Sequence, residues 1–484
     1  MKEGLTKKTF QGFIWLSSTS GVHAIIQIGI LAILARLITP EDFGVMQAVI
    51  VVVGLANLMS QMGVGPSIVQ LKNLTNLHVR TAFTISLILG CFFGLVVFFS
   101  SECVAEFFSM PRLSFALKVV SIIFVIESFV VVSESMLQRK LQMKEYATVH
   151  LISFTVGYGF TSVLLAFLGF GLWALIVGII IQVIIKAILI YLLQPISLIP
   201  VYSKNEFNEL IYFGGGFTIG KISNYFASQG DNIITGRMFG AEILGFYSRA
   251  FALMVKPVGL IAGNIEKILF PAFSLRSGRI EKVSSGFVRV LSLTFFASCF
   301  ISTLIFTLSE SIVNLVLGDQ WGDVVILLKF LSVVIIAKMS YKVNDAVIKS
   351  MGLVYQRAVI QTVYMVSVVL FAYQGALLGI NEMVVGVVIA NFGHYMMLLL
   401  YVKKVLDKSI LEICKCHFSG LVWLVIFILI NPFADPVIKS VNYNIFVIIL
   451  TVMFYGTIFV VLNYILHWFK GGQNFITLYY LWQK

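Results

Sequence analysis

Arg36-Leu37-Ile38-Thr39-Pro40-Glu41-Asp42-Phe43-Gly44 is matched 201 residues later by Arg237-Met238-Phe239-Gly240-Ala241-Glu242-Ile243-Leu244-Gly245. Both stretches read Arg-x4-Glu-x2-Gly, and both close a long apolar run. The same offset sets Ser17 on Thr218, Ser20 on Lys221 and Gln27 on Ser228. Three identities at equivalent turns indicate a duplicated chain. Six apolar runs separate the copies, an even number, so the halves should run in the same direction as parallel repeats about an axis along the membrane normal. Within the turn, Pro40 suits a helix start, Gly44 and Gly245 are expected to permit a tight turn into the next helix, and the two arginines are expected either to form a structural hairpin or to snorkel.

Working outward, the apolar runs recur along the whole chain. Hydrophobic residues make up 59% and charged residues 12% of the 484 residues, against about 45–50% and about 25% in a soluble domain. The mean hydropathy is +0.98. A membrane helix needs about 20 mostly apolar residues. Fourteen candidates fit, at 13–35, 43–64, 81–101, 115–136, 146–168, 173–194, 213–236, 244–267, 286–308, 324–347, 358–379, 383–402, 418–431 and 443–467. The thirteenth is short and stops at Asn431-Pro432. The expected fold is an all-α polytopic membrane protein with two six-helix lobes, 1–200 and 201–408, around a central cavity. A helix pair and tail follow over 409–484.

Charge orients the chain. With the N-terminus inside, the inner loops and termini hold 20 Lys and Arg and the outer loops four. That asymmetry sets both termini in the cytoplasm. The formal net charge of +12 is thus explained by inner loops, and no basic arm with interleaved aromatics suggests nucleic acid. The first apolar run has no small-residue cleavage site and reads as an uncleaved span. Five scattered cysteines, Cys91, Cys103, Cys299, Cys414 and Cys416, imply neither a disulfide framework nor a metal site.

Ionisable groups inside a span are costly and mark pathways. In the seventh span Thr218, Lys221, Asn224, Ser228, Asp231 and Thr235 follow helical spacing and share one face. Lipid cannot satisfy such a stripe, so it faces protein or water. Its counterpart on the first span is Ser17, Ser20, Ala24 and Gln27. Together they suggest a shared cavity, with interhelical hydrogen bonding as the plainer explanation. Arg249 and Lys256, seven residues apart, could join Lys221 and Arg237 in a cationic patch suited to a diphosphate. Pairing with Asp231 or Glu266 is the alternative. Lys342 could belong to the patch or pair along its own helix with Asp345. A Glu127–Lys186 pair would account for both residues, and His394 reads as a packed polar residue.

No P-loop and no His-Glu-x2-His spacing occurs, and the outer loops are short. A transporter without catalytic residues, cofactor or metal is therefore expected, rather than a primary pump, a glycosyltransferase or a polymerase.

Several stretches resemble one family. They are Ala35 through Gly44; Ser228-Gln229-Gly230-Asp231-Asn232-Ile233-Ile234-Thr235-Gly236-Arg237; Leu244-Gly245-Phe246-Tyr247-Ser248-Arg249-Ala250; Leu269-Phe270-Pro271-Ala272-Phe273; and Gly318-Asp319-Gln320-Trp321. The chain resembles, over its whole length, the polysaccharide transporters of the multidrug/oligosaccharidyl-lipid/polysaccharide exporter superfamily, in the Wzx-like branch that exports colanic acid and lipopolysaccharide. The resemblance implies a flippase of the bacterial inner membrane. It would carry undecaprenyl-diphosphate-linked oligosaccharide to the outer leaflet by alternating access, in contact with membrane lipids and alongside polymerase or export machinery. Arg237 and Asp231 match the family's motif positions, whereas Lys221, Lys256 and Lys342 come from spacing alone. A cation-coupled multidrug antiporter and a peptidoglycan-precursor flippase are the alternatives within the superfamily.

Overall fold

A computed structural model describes residues 2–276, 278–440 and 449–460, with side chains other than those of 2–18, 20, 213–220, 260, 264 and 433–440. The elements are α1 (Lys2–Leu37), α2 (Pro40–Gln61), α3 (Val64–Gln70), α4 (Asn76–Phe108), α5 (Pro111–Val120), α6 (Ile122–Ser128), α7 (Val131–Arg139) and α8 (Met143–Ile152). A π-helical stretch, Ser153–Phe160, joins α8 to α9 (Thr161–Phe167). Then come α10 (Leu172–Leu193), α11 (Lys204–Ser274), α12 (Ile280–Val316), α13 (Val324–Ser350), α14 (Val354–Ala376), α15 (Ile380–Val405) and α16 (Ile410–Ser440).

Among the described residues, ten helices are long and apolar enough to cross a membrane. An eleventh span is the bent pair Pro111–Ser128 and Val131–Arg139, which meets at 44°. One of the ten, Lys221–Ser274, covers two of the expected spans, because α11 breaks at Gly240 (φ 81°, ψ −172°). The last expected span, 443–467, lies largely outside the described residues; only its Ile449–Val460 portion is seen, as helix. The thirteenth is not short. It starts at Ile410 and runs through Pro432 to Ser440. Its start is a capping box: Ser409 Oγ accepts the Glu412 N–H at 3.2 Å, and Glu412 Oε2 accepts the Ser409 N–H at 3.1 Å.

The distribution of side chains is that of a protein solvated by lipid. Phe99, Leu192, Ile25 and Phe167 are each more than two-thirds exposed, while Ser101, Ser133, Ser153, Ser162, Thr235, Ser298 and Ser340 are fully buried. Small polar residues let helices approach closely inside a membrane, and the large apolar ones turn outward where hydrocarbon meets them. Gly157 and Gly178 show the same device. A Cβ on Gly157 would fall 2.4 Å from Gln182 Cα, and one on Gly178 would fall 1.9 Å from Ser162 Oγ.

The chain forms two compact units: Met1–Ser248 with Val316–Gln320 and Val368–Ile380, and Arg249–Leu315 with Trp321–Ser367 and Asn381–Lys484. The first holds a core around Val64, Ile68, Phe83, Ile85, Val132 and Leu210. The second holds one around Phe287, Leu291, Val347, Tyr395 and Leu399, and an aromatic one where Phe296, Phe459 and Trp423 meet.

Candidate functional site in the paired repeat turns and the seventh span

The two repeat turns are brought together within the first unit. In the first copy Thr39 is the N-cap of α2: its backbone is extended and its Oγ1 accepts the Asp42 N–H at 3.3 Å, with Pro40 at the first helical position. In the second copy Gly240 occupies the place of Thr39 and breaks the helix at positive φ. Gly44 and Gly245 therefore do not make the turns. They lie one turn inside the helices that follow, where a Cβ on Gly44 would fall 1.7 Å from the Ala241 carbonyl oxygen and one on Gly245 would fall 2.0 Å from the Pro40 carbonyl oxygen. Ala241 is the repeat equivalent of Pro40, so the contact is reciprocal. The glycines serve backbone-to-backbone approach, not conformational freedom. Glu41 and Glu242 are exposed.

The repeat arginines close helix ends. Arg237 Nη1 donates to the Phe107 carbonyl at 2.7 Å and to Ser109 Oγ at 3.3 Å, at the end of α4. Arg36 Nη1 donates to the Val316 carbonyl at 3.3 Å, at the end of α12. Gln320, from the quoted Gly318–Trp321 motif, returns the favour by donating to the Ala35 and Ile38 carbonyls at the end of α1. Each helix C-terminus presents orphan carbonyls and a partial negative charge, which a guanidinium satisfies.

From this crossing, α2 runs antiparallel to the 221–239 segment. Gln47 Nε2 lies 3.5 Å from Gln229 Oε1, the Tyr225 hydroxyl donates to the Val51 carbonyl at 2.5 Å, and the ring of Tyr225 fills the space over Gly54. The polar stripe divides along its length. Asp231 and Thr235 are sealed, at 3% and 0% exposure. Asp231 accepts the Tyr247 hydroxyl at 2.6 Å and the Asn232 N–H at 2.8 Å. Asp231 thus corrects the expectation of a cavity-lining acid, because a tyrosine one helix on covers it. Asn224 and Ser228 are exposed and Lys221 half-buried. Gln27 is half-buried, while the side chains of Ser17, Ser20 and Thr218 fall outside the described residues.

The remaining cations have separate surroundings. Arg249 and Lys256 lie on α11 in the second unit, both half-buried, and among the described residues no carboxylate comes within 4 Å of Lys256. Lys342 does not pair along its own helix. It meets Glu266 of α11 at 2.6 Å, and Lys349 meets the same carboxylate at 2.5 Å. Asp345 is taken by Lys349 at 2.7 Å and by Arg357. The Glu127–Lys186 pair is present at 3.2 Å. His394 is buried and stacks on Tyr364 at 4.1 Å. Residue spacing had not indicated Tyr225, Tyr247 or Gln320. Each acts across helices, and of the three only Tyr247 and Gln320 stand in the quoted motifs.

Comparison with known proteins agrees with this architecture. Residues 33–326 match the family described as polysaccharide biosynthesis protein. The chain is 25% identical over 336 residues to the lipopolysaccharide biosynthesis protein WzxC of Escherichia coli K12, covering 68% of this chain and 67% of that one. It is 24% identical over 353 residues to the teichuronic acid biosynthesis protein TuaB of Bacillus subtilis 168, covering 72% of each. Among solved structures it superposes on the lipid II flippase MurJ, in its inward closed conformation, with a TM-score of 0.77 over 94% of this chain and 99% of that one, at 13% identity. An inward-facing multidrug transporter of the MATE family gives 0.61 over 80% and 94%, at 14% identity. The chain therefore belongs to the polysaccharide biosynthesis protein family, as a Wzx-like polysaccharide transporter with the fold shared by MurJ and the MATE exporters.

Proposed function

We propose that this protein is a flippase that moves a lipid-linked oligosaccharide, on undecaprenyl diphosphate, from the cytoplasmic to the outer leaflet of a bacterial inner membrane. The observation that carries this reading is the joint one: membership of a polysaccharide-biosynthesis family and the fold of a lipid-linked-sugar flippase in one multi-pass chain. The proposed layout has fourteen spans in lobes 1–200 and 201–408, a helix pair from 409, and both termini inside. Alternating access opens each side in turn, with polymerase or export machinery receiving the cargo.

The half-open face of Lys221, Asn224 and Ser228 is the proposed polar route, with Lys221, Arg249 and Lys256 as cations for the diphosphate. The proposed role of Arg237, at the end of α4, and of Lys342, on Glu266, is to shape the route rather than to bind. A diphosphate carries about two negative charges. Moving it outward, toward the positive side, gains about 2.3 kcal/mol per charge per 100 mV. An unpaired buried charge would cost far more, so the work of the protein is to supply cations and polar groups along the way.

The test is deletion of the chain in its own cell. Surface polysaccharide should be lost and lipid-linked saccharide should accumulate, both restored by the wild-type chain but not by Lys221→Gln with Lys256→Gln. Unchanged polysaccharide with altered drug sensitivity would replace this reading by the multidrug antiporter.

A further inference from the structure

Arg36 and Arg237, the repeat-equivalent arginines, each cap a helix of the half that holds the other copy. Arg36 stands at the end of the first span, and its Nη1 donates to the Val316 carbonyl at 3.3 Å. Val316 is the last residue of α12, the third span of the second half. Arg237 stands at the end of the seventh span, and its Nη1 donates to the Phe107 carbonyl at 2.7 Å and to Ser109 Oγ at 3.3 Å. Phe107 lies in the last turn of α4, the third span of the first half. All of these residues belong to the first compact unit.

The surroundings of the two contacts match. Both third spans run out into left-handed backbone, at Ser109 (φ 55°) and at Gly318 (φ 100°). Arg237 Cζ lies 5.4 Å from the centre of the Phe107 ring. The stem of Arg36 passes Gly318, where a Cβ would fall 3.4 Å from Arg36 Cγ. In the first copy the exchange runs both ways, because Gln320 donates to the Ala35 and Ile38 carbonyls. Gly44 against the Ala241 carbonyl and Gly245 against the Pro40 carbonyl again set one half against the other.

A helix C-terminus presents carbonyls that its own chain leaves unpaired, together with a partial negative charge. A guanidinium from the same half would satisfy them wherever the other half lay. One from the opposite half satisfies them only while the two helix ends stay together. Both arginines are exposed, so water replaces each contact at small cost once the ends part. Such contacts bias the position of the ends and still break within a working cycle.

We propose that Arg36 and Arg237 are a matched pair of latches at the outer side of the membrane. Each holds the third span of the opposite half, and both let go together when that side opens. The outer position rests on the proposed topology and the release of cargo on the flippase reading above; the exchanged caps stand on the geometry.

Gln47 supplies the probe. It is 8% exposed and faces Gln229 of the other half at 3.5 Å, so a cysteine there is sealed while the ends are joined. In a full-length chain cleared of its native cysteines, Gln47→Cys is labelled in right-side-out membrane vesicles by an impermeant thiol reagent. Labelling should quicken by about two- to fivefold in Arg36→Gln and in Arg237→Gln, the range for one cation at a helix C-terminus. The double variant should show about the product. Lysine at either position should give an intermediate rate. Ser133→Cys, fully buried in α7, should stay unlabelled throughout. An unchanged rate at Gln47→Cys overturns the latches. An equal rise at Ser133→Cys means general loosening and overturns them as well. A rise in only one arginine variant overturns the pairing.

Joining the ends is the converse test. Ser109→Cys with Arg237→Cys, bridged by a short bifunctional thiol reagent, should lose surface-polysaccharide output relative to the same chain unbridged, and reduction should restore it. Undiminished output from the bridged chain overturns release of the ends during transport. Should deletion of the whole chain leave polysaccharide untouched, the flippase reading fails, while the labelling rates still decide the latches.

Discussion

Gly44 and Gly245, equivalent residues of the two repeats, meet across the first unit so closely that each would drive a Cβ into the other copy's first helical turn, at 1.7 Å from Ala241 O and 2.0 Å from Pro40 O. The carbonyls concerned belong to helix starts, where a shift would also displace the Thr39 cap and the Gly240 break. At this crossing the two helix starts lie backbone against backbone.

Gly44→Ala and Gly245→Ala should each lower stability by about 1–3 kcal/mol, the range for overpacking a close contact. Membrane abundance and thermal aggregation in detergent report it. Gly393→Ala, where nothing lies within 4 Å of the added methyl, should be neutral or slightly stabilising. Indistinguishable behaviour of all three would remove the backbone contact.

Arg36→Gln and Arg237→Gln each withdraw a guanidinium from helix-end carbonyls, at a cost of about 0.3–1 kcal/mol. The two arginines cap different helices, so the double variant should lose the sum. Lysine at either place keeps the charge but not the planar fork, and should recover part of the loss. Undiminished stability with polysaccharide output abolished in Arg237→Gln would instead make Arg237 a cargo ligand.

Single cysteines in a chain cleared of its native five should map the seventh span. Asn224→Cys and Ser228→Cys should react with an aqueous maleimide, whereas Asp231→Cys and Thr235→Cys should not. The contrast follows from the exposed positions of the first pair and the 3% and 0% exposure of the second. Uniform reactivity along the face would mean that Tyr247 does not cover Asp231.

Glu266 holds both Lys342 and Lys349. Glu266→Gln strands the partly buried Lys342, while Lys349 keeps Asp345 at 2.7 Å, and should destabilise by up to about 3–5 kcal/mol, less to the extent that water reaches the ammonium. Adding Lys342→Gln should restore part of the abundance. Failure of the double change to recover anything would show that the pair is not the source of the loss.

Reporter fusions after Lys408 and at the C-terminus should both report the cytoplasm. An outward-facing terminus would overturn the fourteen-span proposal, since the parity of the spans would change.

Much of this protein was legible in its residues because the relevant signals are local or periodic. The apolar runs became helices, Pro40 opened α2, and the matched Arg-x4-Glu-x2-Gly stretches marked equivalent turns. The Glu127–Lys186 pair was readable because an ionisable residue inside a largely apolar run needs a partner. The roles of Gly44 and Gly245 were misread as turn formation, since a glycine needed for close approach looks the same in sequence as one needed for positive φ. Gly240, the residue that does adopt positive φ, stands where the first copy has Thr39, and so broke the pattern instead of repeating it.

The sequence by itself determined that the chain lives in a membrane and that it is helical, and it marked two matched turns at a fixed offset. Hydropathy over about 20 residues, the 3.6-residue period and a fixed offset are all properties of a single strand of text. Which groups touch is a different kind of fact. Asp231 is sealed by Tyr247, 16 residues on, Lys342 answers Glu266, 76 residues back, and Gly44 lies against Ala241. Those partners are chosen by how helices cross. A buried charge or an orphan carbonyl in lipid accepts whichever donor the packing brings near, so only the tertiary structure could decide them.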